Sequence, residues 1–136
     1  ATGAIAQGML VADELALPYA YVRPKPKDHG MKNQIEGELP AGSKVVVVED
    51  LISTGGSSLK AVAALREAGF EVVGMVASYT YGFPVAEEAF CEANVKLVTL
   101  TDYEHVVEKA LETGYIKESE VSMLHDWRKD PANWRK

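Results

Sequence analysis

The sequence predicts an α/β fold: a mainly parallel central sheet flanked by helices, with one long loop. Three observations carry this expectation. Residues 44–49, 71–78 and 95–100 are short runs rich in valine and apolar on both faces, as parallel strands covered by helices are. The segments between them place apolar residues at helical spacing. Strand and helix then alternate along the chain with no internal repeat and no interdomain linker, so residues 1–136 read as one domain.

In chain order, residues 4–16 form the first predicted helix, with Ile5, Met9, Ala12 and Leu15 as its inward stripe, and Pro18 stops it. Residues 19–23, YAYVR, are aromatic and β-branched, which predicts a short strand. Prolines 24, 26 and 40 and glycines 30, 37 and 42 then mark a long loop, with a β-ribbon around residues 33–38. The strand at 44–49 is expected to be central and to end at the acid pair Glu49–Asp50. Leu59, Val62, Ala63 and Leu65 stripe the next helix, and Gly69 suits its C′ position. After the strand at 71–78, Pro84 opens a helix with Val85, Ala89 and Phe90 facing inward as far as Asn94. The strand at 95–100 leads to Thr101 and Glu104, which match a capping box, and to Tyr103, Val106, Val107, Ala110 and Leu111 before Gly114. Ser119 is expected to cap a last helix bearing Val121, Leu124 and Trp127, and Pro131 ends the order.

Composition narrows the function classes. With 47% hydrophobic and 25% charged residues the chain belongs with soluble globular proteins, away from disordered ones. No apolar run nears the roughly 20 residues of a membrane span. A single cysteine, Cys91, excludes an internal disulfide and fits a reducing, cytoplasmic setting; a small buried apolar residue is the plainer reading. A net charge of −6 argues against a nucleic-acid surface. Within that acidic balance the cluster RPKPKDH, Arg23 to His29, stands apart. The opening ATGAIAQG enters a helix at once, without methionine or lead-in, and is expected to be a piece of a longer chain.

The stretch VVVVEDLISTGGSSL, residues 45–59, carries the most chemistry. Ligands of open α/β sheets bind beyond the carboxyl ends of the strands. There Ser53, Thr54 and Ser57 offer hydroxyls, while Gly55 and Gly56 let backbone N–H groups converge on a helix N-terminus, which is how a phosphate cradle is made. Neither the Walker pattern nor G-x-G-x-x-G is present. Carboxylates beside a phosphate site repel the ligand unless they accept hydrogen bonds from vicinal hydroxyls or face a magnesium ion, so Glu49 and Asp50 point to a phosphorylated sugar. The alternative is a flexible turn beside two solvated acids.

These residues resemble the ribose-phosphate motif of type I phosphoribosyltransferases, an apolar strand, two acids and a Thr/Ser-Gly-Gly loop. YVRPKPKDHGMKNQIEG, residues 21–37, resembles the mobile catalytic loop of the orotate-specific branch, R-x-K-x-K-x-H-G. ATGAIAQG resembles the family's pyrophosphate loop. The resemblance, covering residues 1 to about 127, implies Mg²⁺-dependent transfer of ribose 5-phosphate from phosphoribosyl pyrophosphate (PRPP) to orotate, in pyrimidine biosynthesis. It implies that the catalytic residues Arg23, Lys27 and His29 grip the pyrophosphate. Glu49, Asp50, Leu51, Ile52, Ser53, Thr54, Gly55, Gly56 and Ser57 would bind PRPP, with Ser53 also reaching orotate and Asp50 weakly engaging the metal. Thr2, Gly3, Ala4 and Ile5 would contact pyrophosphate through their backbone. A homodimer with shared active sites is implied as well. Pro24 stands where some members carry a lysine, Lys25 follows it, and SYTYGFP (78–84) lacks the arginine that some members use for orotate. The family's further N-terminal segment has no counterpart here. A phosphoribosyltransferase for another base and a PRPP-binding regulator are the alternative readings.

Blander readings stand beside these. Taken alone, the lysine–proline run is a stiff solvated loop and His29 a surface histidine. Asp102, Glu104 and His105 read as helix capping rather than a metal site. Trp127 and Trp134 read as helix packing and a frayed tail.

Overall fold

A computed structural model describes residues 3–24 and 34–134. Thr2, Lys25, Lys27 and His29 lie outside the described residues. Helix α1 spans Ile5–Glu14, and an antiparallel ribbon pairs β1, Ala20–Val22, with β2, Ile35–Gly37. Three parallel strands form the main sheet: β3, Lys44–Ile52; β4, Glu71–Thr80; and β5, Leu97–Asp102. They lie in the order β3-β4-β5, connected by helices α2, Gly56–Glu67, and α3, Pro84–Glu92. Helices α4, Tyr103–Glu112, and α5, Glu118–Lys129, follow. The α/β prediction and its parallel sheet hold.

The core lies between the sheet and the helices α2 and α3. Val47, Met75 and Ala77 from the strands meet Ala61, Val62 and Leu65 of α2 and Ala86 and Phe90 of α3. Gly69 takes the left-handed conformation just past α2 (φ +86°), where a side chain would be strained.

Several expectations need correction. β3 does not end at the acid pair but runs two residues beyond it, to Ile52, because pairing with β4 continues through Ile52↔Thr80. Among the described strands β3 is an edge and β4 is central. The valines of β3 are therefore not all covered: Val46 is exposed, as are Val76 of β4 and Val98 and Leu100 of β5. The buried face of α1 is Ala4, Gly8 and Ala12, small residues that admit close approach, while Met9 and Leu15 face out. An apolar groove of about 460 Å³ lies between α1, β1 and β3. In the later helices Ala63, Val85, Val106 and Leu111 are exposed; Ser58, Ala61 and Ala86 take inward positions, and the expected Val107 is buried. Both predicted caps shift: Asp102, not Thr101, caps α4, and Lys117 rather than Ser119 precedes α5. The side-chain oxygen of Asp102 accepts the His105 backbone N–H at 3.0 Å, and the Lys117 backbone N–H donates to Glu120 Oε2 at 2.8 Å. Pro84 does open α3 as expected.

Candidate functional site

The site is assembled where β3 passes into α2. Because β3 continues to Ile52, Glu49 and Asp50 are strand residues and project to opposite faces of the sheet. Glu49 is 3% exposed, in register with Ala77 of β4. Asp50 is half-buried, and its Oδ1 accepts the Leu51 backbone N–H at 2.8 Å. The two carboxylates therefore differ in burial. Leu51 is exposed, whereas the Ile52 side chain is fully buried in the core, leaving only its backbone to face a ligand.

Ser53–Gly55 turn the chain into the helix. Gly55 takes a left-handed conformation (φ +80°) as the N-cap of α2, and no side chain caps that helix. The first-turn N–H groups consequently remain as donors directed at the loop, carrying the positive end of the helix dipole. A Cβ on Gly55 would fall 2.7 Å from the Phe90 ring, so backbone conformation and packing both require glycine. Ser53, Thr54 and Ser57 are exposed and Ser58 is buried: three hydroxyls stay accessible around the donors.

The chain's beginning converges on the same place. Gly3 lies against Asp50, and a Cβ there would overlap the Asp50 carboxylate. Ala4, buried, then leads into α1. Two segments separated by almost fifty residues, the turn before α1 and the acid-bearing end of β3, thus form one wall. Local patterning gave no sign of the proximity of Gly3 to Asp50; only the family resemblance, which assigns both segments to one ligand, anticipated it.

Arg23 stands at the foot of the long loop, held by the β1–β2 ribbon. Its N–H donates to the Gln34 carbonyl at 2.8 Å, and Gln34 Nε2 donates back to the Arg23 carbonyl at 3.0 Å. The Arg23 guanidinium pairs with Glu36 Oε1 at 3.3 Å. The structure thus fixes both ends of the loop to one ribbon and places Arg23 at its root, while Lys27 and His29 lie outside the described residues.

On the far side of the loop, the turn after β4 adjoins the end of β3. Thr80 pairs with Ile52, and the Tyr81 N–H donates to the Ile52 carbonyl at 3.1 Å. Tyr79, Tyr81, Phe83, Tyr103 and Trp127 form a continuous aromatic cluster, Tyr81 stacking on Phe83 at 5.3 Å and Tyr103 on Trp127 at 5.5 Å. Burial, with help from neighbouring tyrosines, pushes the Tyr79 phenol up to about 12. Trp127 is a packing residue, as expected. Sequence reasoning missed Arg128, whose guanidinium reaches from α5 to the carbonyls of Tyr81 and Gly82. Asp102 and His105 at the start of α4 form a cap and a 2.8 Å side-chain contact.

Comparison with known proteins follows the same lines. The sequence profile of the phosphoribosyl transferase domain family matches residues 1–113. A protein of Bacteroides thetaiotaomicron named orotate phosphoribosyltransferase is 71% identical over 134 residues, 98% of this chain and 63% of its own length. The crystal structure of orotate phosphoribosyltransferase from Aeropyrum pernix superposes with a TM-score of 0.74 at 33% identity, covering 86% of this chain and 63% of that one. A Mycobacterium tuberculosis orotate phosphoribosyltransferase in complex with 5-phospho-α-D-ribosyl 1-diphosphate gives a TM-score of 0.53 at 30% identity, over 65% of this chain and 49% of that one. The chain spans less than two thirds of the length of these relatives.

Proposed function

Because the chain belongs to the phosphoribosyl transferase domain family, we propose that it binds PRPP at the β3–α2 cradle and transfers ribose 5-phosphate to N1 of orotate, giving orotidine 5′-monophosphate and pyrophosphate in pyrimidine biosynthesis. The observation that carries this reading is the convergence of the Gly3 turn on Asp50 beside the uncapped, glycine-led N-terminus of α2. It supports a reading in which a diphosphate, a ribose diol and a 5′-phosphate are bound by different parts of one site.

Charge development decides the division of labour. Breaking the bond from C1 to pyrophosphate builds oxocarbenium character on the sugar and negative charge on the leaving group. The protein need supply no nucleophile; its task is to position the two substrates and to stabilise the leaving diphosphate with cations. Arg23, Lys27 and His29 take that cationic role, with Lys27 contributing most to rate. The donors of α2 with Ser53, Thr54, Gly55, Gly56 and Ser57 hold the 5′-phosphate, and Ser53 also reaches orotate. Glu49 and Asp50 serve the ribose side, Asp50 as the more accessible contact and Glu49 from its buried place on β3, and the backbone of Thr2–Ile5 serves the pyrophosphate.

Magnesium belongs to the same proposal. Among the described residues no group of three or more His, Cys, Asp or Glu side chains could hold a metal ion alone. Asp50 offers one half-buried carboxylate, which suits an ion carried mostly by substrate phosphates and water. Asp50 would hold it from the protein side, and the bound ion would neutralise part of the diphosphate charge.

A homodimer with shared sites is supported by the exposed apolar side chains Met9, Leu10, Leu15 and Leu17 in and after α1. A cytoplasmic setting is supported by the lone cysteine, Cys91, which is exposed and not the small buried residue of the plainer reading. Among the described residues no helix is long and apolar enough to cross a membrane. The test mixes protein, Mg²⁺, PRPP and orotate and follows the ultraviolet absorbance of orotate. Orotate consumption that needs PRPP and collapses in Lys27→Ala supports the reading; PRPP binding without consumption would favour a regulator, and consumption of a purine base instead would reassign the acceptor.

A further inference from the structure

We propose that Arg128, on the last helix and beyond the residues 1–113 that the family profile matches, is a positioning residue for the phosphoribosyl cradle. The inference rests on the PRPP reading of that cradle. Arg128 spreads its guanidinium over three acceptors from two other elements. Nε donates to the Tyr81 carbonyl at 2.8 Å, Nη2 to the Gly82 carbonyl at 2.9 Å, and Nη1 to Glu104 Oε1 at 2.9 Å. The side chain is 31% exposed, and its Cζ lies 5.9 Å from the centre of the Tyr103 ring. Such a planar fork matches two adjacent carbonyls and a carboxylate in a way that a lysine ammonium cannot.

What the fork holds is the turn after β4. That turn is tight: Gly82 sits at φ +63°, its N–H donates to Thr80 Oγ1 at 3.0 Å, and a Cβ on it would come within 2.8 Å of Arg128 Nη2. The same turn grips the end of β3. The Tyr81 N–H donates to the Ile52 carbonyl at 3.1 Å, and Ile52 is the last residue before Ser53 and the loop. A chain of contacts therefore runs from Arg128 through the Tyr81–Gly82 peptide to Ile52 and the loop. Trp127, the residue before Arg128, reinforces it by packing on Tyr81 at 5.6 Å and Tyr103 at 5.5 Å. Each carbonyl is a neutral acceptor that a charged donor holds firmly. Their release would free the turn, and with it the direction in which Ile52 delivers the loop.

The test uses the 136-residue chain with PRPP and Mg²⁺, reading affinity by calorimetry and the loop by amide hydrogen exchange over residues 52–57. Arg128→Ala and Arg128→Lys are each expected to weaken PRPP binding about tenfold and to speed exchange in that loop. Guanidinium ion at millimolar concentration should restore affinity to Arg128→Ala and leave wild type unchanged. Val107→Ala removes a buried side chain of α4 without touching the turn, and should lower the melting temperature with PRPP affinity kept. Unchanged affinity and exchange in both Arg128 variants would overturn the proposal. So would an affinity loss in Val107→Ala equal to that in Arg128→Ala, which would make the effect one of global stability. A wild-type chain that binds no PRPP would refute the donor-site reading, and the exchange measurement would still decide whether Arg128 governs the loop.

Discussion

Replacing Gly55 by alanine tests whether the loop is built as described, because two independent penalties meet there. The residue has φ +80°, a conformation that costs a side chain about 1 kcal/mol. The added Cβ would also fall 2.7 Å from Phe90 Cε2, and Phe90 is buried among the core residues of α2 and α3, so its ring has little room to retreat. Overpacking of this kind costs about 1–3 kcal/mol, bringing the expected loss to about 2–4 kcal/mol. For a domain of this size that corresponds to a fall in melting temperature of about 8–16 °C. Gly42→Ala is the internal control: φ is +73° but nothing lies within 4 Å of the added Cβ, so only the conformational part, about 1 kcal/mol, applies. Differential scanning calorimetry on both variants separates the two penalties. A double variant Gly55→Ala/Phe90→Leu should be less destabilised than the two single changes together by about 1 kcal/mol, because leucine vacates the clash. Equal losses in Gly55→Ala and Gly42→Ala would refute the argument, since the Phe90 contact would then contribute nothing.

Other consequences are equally checkable. Gly3→Ala should weaken PRPP binding by displacing the Asp50 carboxylate, and Asp50→Ala should abolish the difference between Gly3 and alanine; additive effects in calorimetry would break the link between the two walls. In a spectrophotometric titration at 295 nm, Tyr79 should ionise only near pH 12, and Tyr79→Phe should remove that last phase. Hydrogen bonding from the His105 N–H holds Asp102 below its usual 3.8, so this contribution is present above pH 3.8 and fades as pH falls through the lowered value. Asp102 in turn raises His105 above 6.5, so that contribution is complete below pH 6.5 and fades as pH rises through the raised value. Asp102→Asn keeps a capping oxygen but should flatten the melting temperature above pH 6.5; an unchanged pH profile would dismiss the pair.

Legibility in the sequence followed how local the governing physics is. The three strands, Pro84 at the head of α3 and Gly69 behind α2 are settled by short-range patterning and backbone sterics, and all were readable. In α1 the expected Ala12 is buried, but Met9 and Leu15 were misread: the small residues Ala4 and Gly8 complete the close face, whereas hydrophobicity alone favours the two large side chains, which face out. The end of β3 was misplaced because charge was taken as a strand terminator, although backbone pairing with β4 is indifferent to whether a side chain is Glu49 or valine. In the site, Ser53–Ser57 announced themselves by composition, whereas the meeting of Gly3 with Asp50 and of Arg128 with Gly82 is long-range. A glycine is visible in each case, but what crowds it is set by tertiary packing.

The extension of β3 also changes what the acid pair can mean. Two adjacent carboxylates in a loop could turn together toward one ligand; in a strand they are held to opposite faces, so their roles divide. Asp50, half-buried and touching the turn before α1, is the more accessible of the two carboxylates. Glu49, 3% exposed on the face that carries Val47, sits where a conservative change disturbs the core before it disturbs a ligand. Glu49→Gln and Asp50→Asn should therefore behave differently despite identical chemistry. The first should act mainly on the melting temperature and the second mainly on ribose and magnesium binding. Equal effects of the two substitutions on PRPP affinity, with stability unmoved in both, would mean that the acids act as one clamp after all and that β3 loosens at Glu49 when the ligand arrives.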